Sequence, residues 1–187
     1  MTEEAPRLAD LRVGSAADGL TPIAGGTRSF AANSTQWIAL AAVALFAAGC
    51  DQLTKWLVSS ELGLGDAITV FPGLALHHVQ NTGIAFGFFA GATPLVIVAT
   101  AAVVVWMLLF FARSGGRHPI LPAALGLLVG GSLSNLVDRI RLGHVVDFVE
   151  IPHWPAFNLA DSVIVVGVAV LVATLVWSER EPRRRAR

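Results

Sequence analysis

Two aspartates, Asp147 and Asp161, stand fourteen positions apart in the chain. A Pro- and aromatic-rich stretch from Glu150 to Phe157 separates them, and a long apolar run follows. Carboxylates at the edge of such a run are costly to place, which marks them as functional candidates. Two carboxylates held close cannot both ionise cheaply, so one keeps a proton while its partner is a base. That arrangement can activate water and then protonate a leaving amine, which is what amide hydrolysis needs. The proton is shared, so the two sites titrate as a unit. Each aspartate also has a plainer reading. Asn158-Leu159-Ala160-Asp161 fits an N-cap residue followed by an acid at N3, stabilised by the helix dipole. Asp147 fits a solvated loop acid. The same helix start would bias the shared proton toward Asp147.

Further polar residues accompany the pair. In Gly130-Gly131-Ser132-Leu133-Ser134-Asn135-Leu136-Val137-Asp138-Arg139, helical spacing puts Gly131, Asn135, Asp138 and Arg139 on one side. Asp138 and Arg139 are adjacent, so they need not pair with each other and are placed to hold loop backbone or substrate carbonyls. The alternative is an interfacial cluster with Arg139 and Arg141 snorkelling to headgroups. A Gly-x-Ser-Gly serine-protease motif is absent, because Leu133 follows Ser132. Asp51 and Lys55 are i, i+4, the favourable order for a helical ion pair. They either neutralise each other or shape a site floor or bind a substrate headgroup. His144-Val145-Val146-Asp147 has a spacing that could bind metal, but there is no HExxH and the flanks are apolar. No metal is expected there, and solvated loop histidines are the simpler reading. One cysteine, Cys50, excludes an internal disulfide. Ala47-Ala48-Gly49-Cys50 resembles a lipoprotein cleavage box, yet its upstream region is long and weakly basic, and more apolar runs follow. A small buried helix residue is the favoured reading of Cys50.

The elements that must position these residues are membrane elements. The 187-residue chain is 55% hydrophobic and 14% charged, with mean hydropathy +0.67. Soluble domains are about 25% charged. Formal net charge is zero, which gives no support to nucleic-acid binding. About 20 apolar residues span a bilayer as a helix. Spans are expected at about 37–58, 93–112, 120–140 and 159–177, within a 36–178 domain. Residues 1–35 read as a disordered polar tail and 179–187 as a basic cytoplasmic tail. The outer 59–92 region carries two short strands, 67–70 and 74–79, around the turn signal Phe71-Pro72-Gly73. Gly126, Gly130 and Ser134, at i, i+4 and i+8, let a neighbouring helix approach closely. Four spans place both termini on one side, with the Arg113/Arg117 turn. The positive-inside rule makes that side cytoplasmic. Asp51, Asp138, Asp147 and Asp161 then gather toward the outer face. The expected fold is mainly α, with four transmembrane helices, a small extracytoplasmic β-sheet and a short periplasmic-side lid loop. Pro152, Trp154 and Pro155 suggest that the lid is a stiff, interface-seated cover.

Taken together, these blocks resemble bacterial lipoprotein signal peptidase, or signal peptidase II. The matching residues are Asp51-Gln-x-Thr-Lys55, Asn81-Thr-Gly-x-Ala-Phe-Gly87, Gly130-Gly-x-x-x-Asn135-x-x-Asp138-Arg139, Val145-Val-Asp147-Phe148 and Phe157-Asn158-x-Ala160-Asp161-Ser162. The resemblance covers 37–178 in order. It implies a membrane aspartic endopeptidase that cleaves prolipoproteins just before the diacylglyceryl cysteine, with Asp147 and Asp161 as catalytic residues. It implies that Asn81, Gly131, Asn135, Arg139, Asn158 and Ala160 line the site and that Asp51, Lys55 and Asp138 support it. It implies no cofactor, prolipoprotein and membrane lipid as partners, a monomer in the bacterial inner membrane, and sensitivity to globomycin. Two departures stand out: a longer polar N-terminus and a shorter loop between the aspartates. The rival is a small transporter or proton relay using outer-face acids. It would need a polar path across the bilayer, whereas the acids here cluster at one end.

Overall fold

The computed structural model describes residues 30–83 and 91–185. Most of the expected polar tail, the segment 84–90, and residues 186–187 lie outside the described residues. Among the described residues, four α-helices and four strands follow in the order α1 (Ser34–Glu61), β1 (Ala67–Phe71), β2 (Leu74–Asn81), α2 (Thr93–Ser114), α3 (Leu121–Leu142), β3 (Val145–Ile151), β4 (Trp154–Phe157) and α4 (Leu159–Arg185). Among the described residues, α1, α3 and α2 with its following turn are each long and apolar enough to cross a membrane. The helix α4 is apolar over Leu159–Thr174 and continues to Arg185. Its end therefore falls beyond the expected 177, and α1 likewise overruns 37–58. Backbone hydrogen bonds and caps end a helix, and hydropathy does not. Asn33 starts α1 with a capping box to Gln36.

The hub is α3. About 72% of its apolar window is buried, against 22% for α1 and 22% for α2. Leu121, Leu125, Leu128 and Val129 pack with Leu40 and Ala44 of α1 and with Val104, Met107 and Phe111 of α2. In lipid, burial of apolar area supplies no drive between helices, so close backbone approach must. The expected small-residue stripe provides it. A Cβ at Gly126 would lie 2.9 Å from the Leu40 carbonyl oxygen and one at Gly130 2.5 Å from that of Ala44, while one at Gly131, outside the stripe, would lie 2.6 Å from the Ala160 carbonyl oxygen. Thus α3 is pressed against α1 on one side and the start of α4 on the other. The outward faces stay apolar, as Leu45, Phe46, Val98 and Trp106 illustrate.

The strands form one antiparallel sheet in the order β1-β2-β3-β4. The two strands expected at 67–70 and 74–79 are β1 and β2. The stretch read as motif and lid is instead a second hairpin, with β3 on β2 and β4 on β3. The β-branched run from Val145 favours a strand. Pro155 is tolerated because β4 is an edge strand. At the other end of the bundle, Ala32 N donates to Ala112 O and Gly116 N to Phe30 O. Arg117 stacks over the Phe30 ring at 5.4 Å. The chain before α1 and the α2–α3 turn therefore share the end opposite the sheet.

Candidate active site

Asp147 lies on β3 opposite Val79 and is buried. Its Oδ2 accepts from Asn81 Nδ2 at 2.9 Å, and its Oδ1 accepts from Asn158 Nδ2 at 2.7 Å. Burial pushes its carboxyl up to about 6. The hydrogen bond from Asn81 opposes that rise, and the neighbouring Asp161 charge adds to it. Both carboxylate oxygens face amide donors, which favour the charged form and act against the effect of burial.

Asp161 sits in the first turn of α4. Its backbone N donates to Asn158 Oδ1 at 2.9 Å, and its Oδ2 accepts from Asn158 N at 3.3 Å. This is a reciprocal capping box, so the plainer reading of Asp161 holds as well. Its Oδ1 accepts from Asn135 Nδ2 at 2.9 Å. Asn158 Nδ2 also donates to Asn135 Oδ1 at 3.1 Å. One pair of asparagine amides therefore joins the two carboxylates. Capping and pairing use different faces of Asp161, and the cap fixes where its carboxylate points.

Both aspartates border one cavity of about 920 Å³. Asn81, Asn135 and Arg139 border it too, and Trp154 to Phe157 form part of its rim. Arg139 Nη2 donates to Gly83 O at 2.7 Å and Nη1 to Asn135 O at 3.3 Å. It is buried, so the snorkelling alternative applies to exposed Arg141 alone. Gly131, Asn158 and Ala160 stand behind the cavity wall. Gly131 seats α4 on α3, and Asn158 and Ala160 are fully buried.

Beneath this layer lies an ion cluster. Lys55 Nζ is 2.7 Å from Asp51 Oδ2 and 2.8 Å from Asp138 Oδ2, and donates to Asn135 Oδ1 at 2.8 Å. Lys55 is buried, so it forms floor and does not reach a substrate headgroup. Asp51 Oδ1 accepts from Ala160 N at 2.7 Å, filling an open donor of the α4 N-terminus. The sequence reading missed Gln52 and the hydroxyl of Ser134. Gln52 Nε2 donates to Asp138 Oδ1 at 2.7 Å, and Ser134 Oγ donates to Asp51 Oδ2 at 2.6 Å. Polar side chains within apolar helices were the available signal, because such groups bond across helices.

Residues 43–177 match the family model described as signal peptidase (SPase) II. A lipoprotein signal peptidase of Symbiobacterium thermophilum is 39% identical over 145 residues, covering 74% of this chain and 95% of its own. One from Acinetobacter baylyi is 35% identical over 173 residues, covering 86% and 93%. A bacterial membrane enzyme solved by the in meso method at 2.3 Å resolution superposes with a TM-score of 0.72 at 28% identity. It covers 79% of this chain and 90% of its own.

Proposed function

The chain belongs to the signal peptidase II family of bacterial membrane peptidases, which remove signal peptides from prolipoproteins, and from that premise we propose that Asp147 and Asp161 are its catalytic pair. One observation carries the assignment: both carboxylates border the same cavity and are joined through the amides of Asn135 and Asn158. Asp147, held up to about 6, carries the shared proton. Asp161, facing an amide N–H and a backbone N–H, is the base that takes the proton of the attacking water. Asp147 polarises the scissile carbonyl and later helps return a proton to the leaving amine. No cofactor takes part.

The substrate's signal helix approaches from the lipid between α2 and α4, whose Val96, Thr100, Ile164 and Val165 border the cavity. Its diacylglyceryl chains stay in the bilayer, which spares their desolvation. The chain near the cysteine must unwind, because a helix hides its carbonyls. Asn81 and Arg139 hold freed backbone groups. The rim from Trp154 to Phe157 covers the reacting bond. The sheet end faces outward, because Arg113 and Arg117 lie at the other end, where the positive-inside rule puts the cytoplasm.

The test is cleavage of a lipidated prolipoprotein by purified variants. Asp147→Asn and Asp161→Asn should each lower kcat by roughly 10⁴-fold or more, with thermal unfolding still cooperative. Retained cleavage in either folded variant would remove that residue from the pair.

A further inference from the structure

We propose that Lys55 is a positioning residue for Asp161, acting by fixing which end of the Asn135 side-chain amide faces that carboxylate. The inference rests on Asp161 being catalytic. An asparagine amide can turn over and exchange its oxygen for its NH2 at little steric cost, so something must choose between the two poses. Here Asn135 Oδ1 receives Lys55 Nζ at 2.8 Å and Asn158 Nδ2 at 3.1 Å. An ammonium has three donors and no acceptor, so only an oxygen can meet it. Turned over, the amide would present N–H groups to two donors and its carbonyl oxygen to the Asp161 carboxylate. All three hydrogen bonds would become repulsions. With Lys55 in place, Asn135 Nδ2 is directed to Asp161 Oδ1, at 2.9 Å.

Lys55 is itself held in this role. Its ammonium donates to Asn135 Oδ1 and is ion-paired with Asp51 Oδ2 and Asp138 Oδ2 on its other sides. Gln52 and Ser134 hold the two carboxylates in turn. The cluster thus does more than balance charge within the bundle. It transmits an orientation from α1 through α3 to the first turn of α4.

The decisive variant keeps the buried charge constant. Two carboxylates and one ammonium become one carboxylate in Lys55→Met with Asp138→Asn. Against lipidated prolipoprotein, kcat should fall by about 10- to 100-fold, the usual range for an outer-layer partner. KM should stay within about threefold, and thermal unfolding should remain cooperative. Asn135→Leu should give a similar loss of kcat, and combining all three changes should add little, because each acts on kcat through the same donor, Asn135 Nδ2 to Asp161 Oδ1. Ordinary kcat in the folded double variant overturns the proposal, and so do losses that multiply. Asn135→Asp covers the case in which the double variant unfolds. It keeps the acceptor for Lys55 and puts a carboxylate oxygen where the donor to Asp161 stood, so ordinary kcat there also overturns the proposal. Asp161→Asn is run alongside. An active Asp161→Asn enzyme defeats the catalytic reading, whereas an inactive one beside a fully active double variant defeats only the role of Lys55.

Discussion

Asp147 holds its proton to higher pH than an exposed carboxyl because burial removes the water that would stabilise its charge. If it must be protonated for cleavage, kcat/KM falls as pH rises through about 6. Asn81 donates to the charged form, so Asn81→Leu should move that basic limb to higher pH. A pH profile of kcat/KM for both enzymes checks the sign; a limb that stays put or moves down counts against Asp147 as the proton carrier. The same shift is a stability statement. A carboxyl raised in the folded state contributes stability that is complete below its unfolded pKa and lost as pH rises through the folded one. Between pH 4 and pH 8 the wild type should lose up to about 3 kcal/mol relative to Asp147→Asn. Denaturant unfolding of both proteins at the two pH values measures it. At this scale the candidate residues were legible from residue types and motif order. The partnerships were not: Lys55 and Asp138 meet across helices, and nothing in their neighbourhoods along the chain says which acceptor each will take.

At the scale of elements, two adjacent glycines do different work. A Cβ at Gly130 would press on the Ala44 backbone, far from the aspartates in the chain, whereas one at Gly131 would press on Ala160, next to Asp161. Overpacking of this kind costs about 1–3 kcal/mol, less the gain in helix propensity. Gly130→Ala and Gly131→Ala should therefore destabilise comparably, but Gly131→Ala should lose about tenfold more in kcat, since a 1 Å displacement of a reacting group costs up to about 100-fold. Equal kcat in two equally destabilised variants would show that α4 does not transmit its seating to Asp161. The helices were legible because their apolar runs are long, and β1 and β2 because Phe71-Pro72-Gly73 punctuates them. The hairpin β3–β4 was not. Its turn uses Pro152 and His153, and His153 adopts φ 66°, which few residues other than glycine take up. A sequence run built around a candidate residue such as Asp147 also reads as motif before it reads as strand.

At the scale of the whole molecule, the arrangement is a bundle whose hub helix holds both the floor and one wall of the cavity, while α2 and α4 leave a side facing lipid. Val165 shows this most directly, because it borders the cavity and is 67% exposed on the bundle's outer surface. Thr100 on α2 borders the same cavity. On the function proposed above, the site is reached from the bilayer as well as from the sheet end, as a membrane-anchored substrate requires. A bulky side chain at the lateral side should obstruct entry without touching the carboxylates. Thr100→Trp and Val165→Trp should each raise KM for a lipidated prolipoprotein by about tenfold, which corresponds to about 1.4 kcal/mol of lost binding. The turnover of bound substrate should change by less than about threefold, because binding lost equally in ground and transition states leaves kcat alone. A water-soluble peptide spanning the cleavage site, lacking the signal helix, does not need the lateral route and serves as the comparison. If both substrates suffer equally, the tryptophans have deformed the cavity itself. If neither suffers, the substrate enters from the sheet end, and the space between α2 and α4 is only a lipid-facing groove.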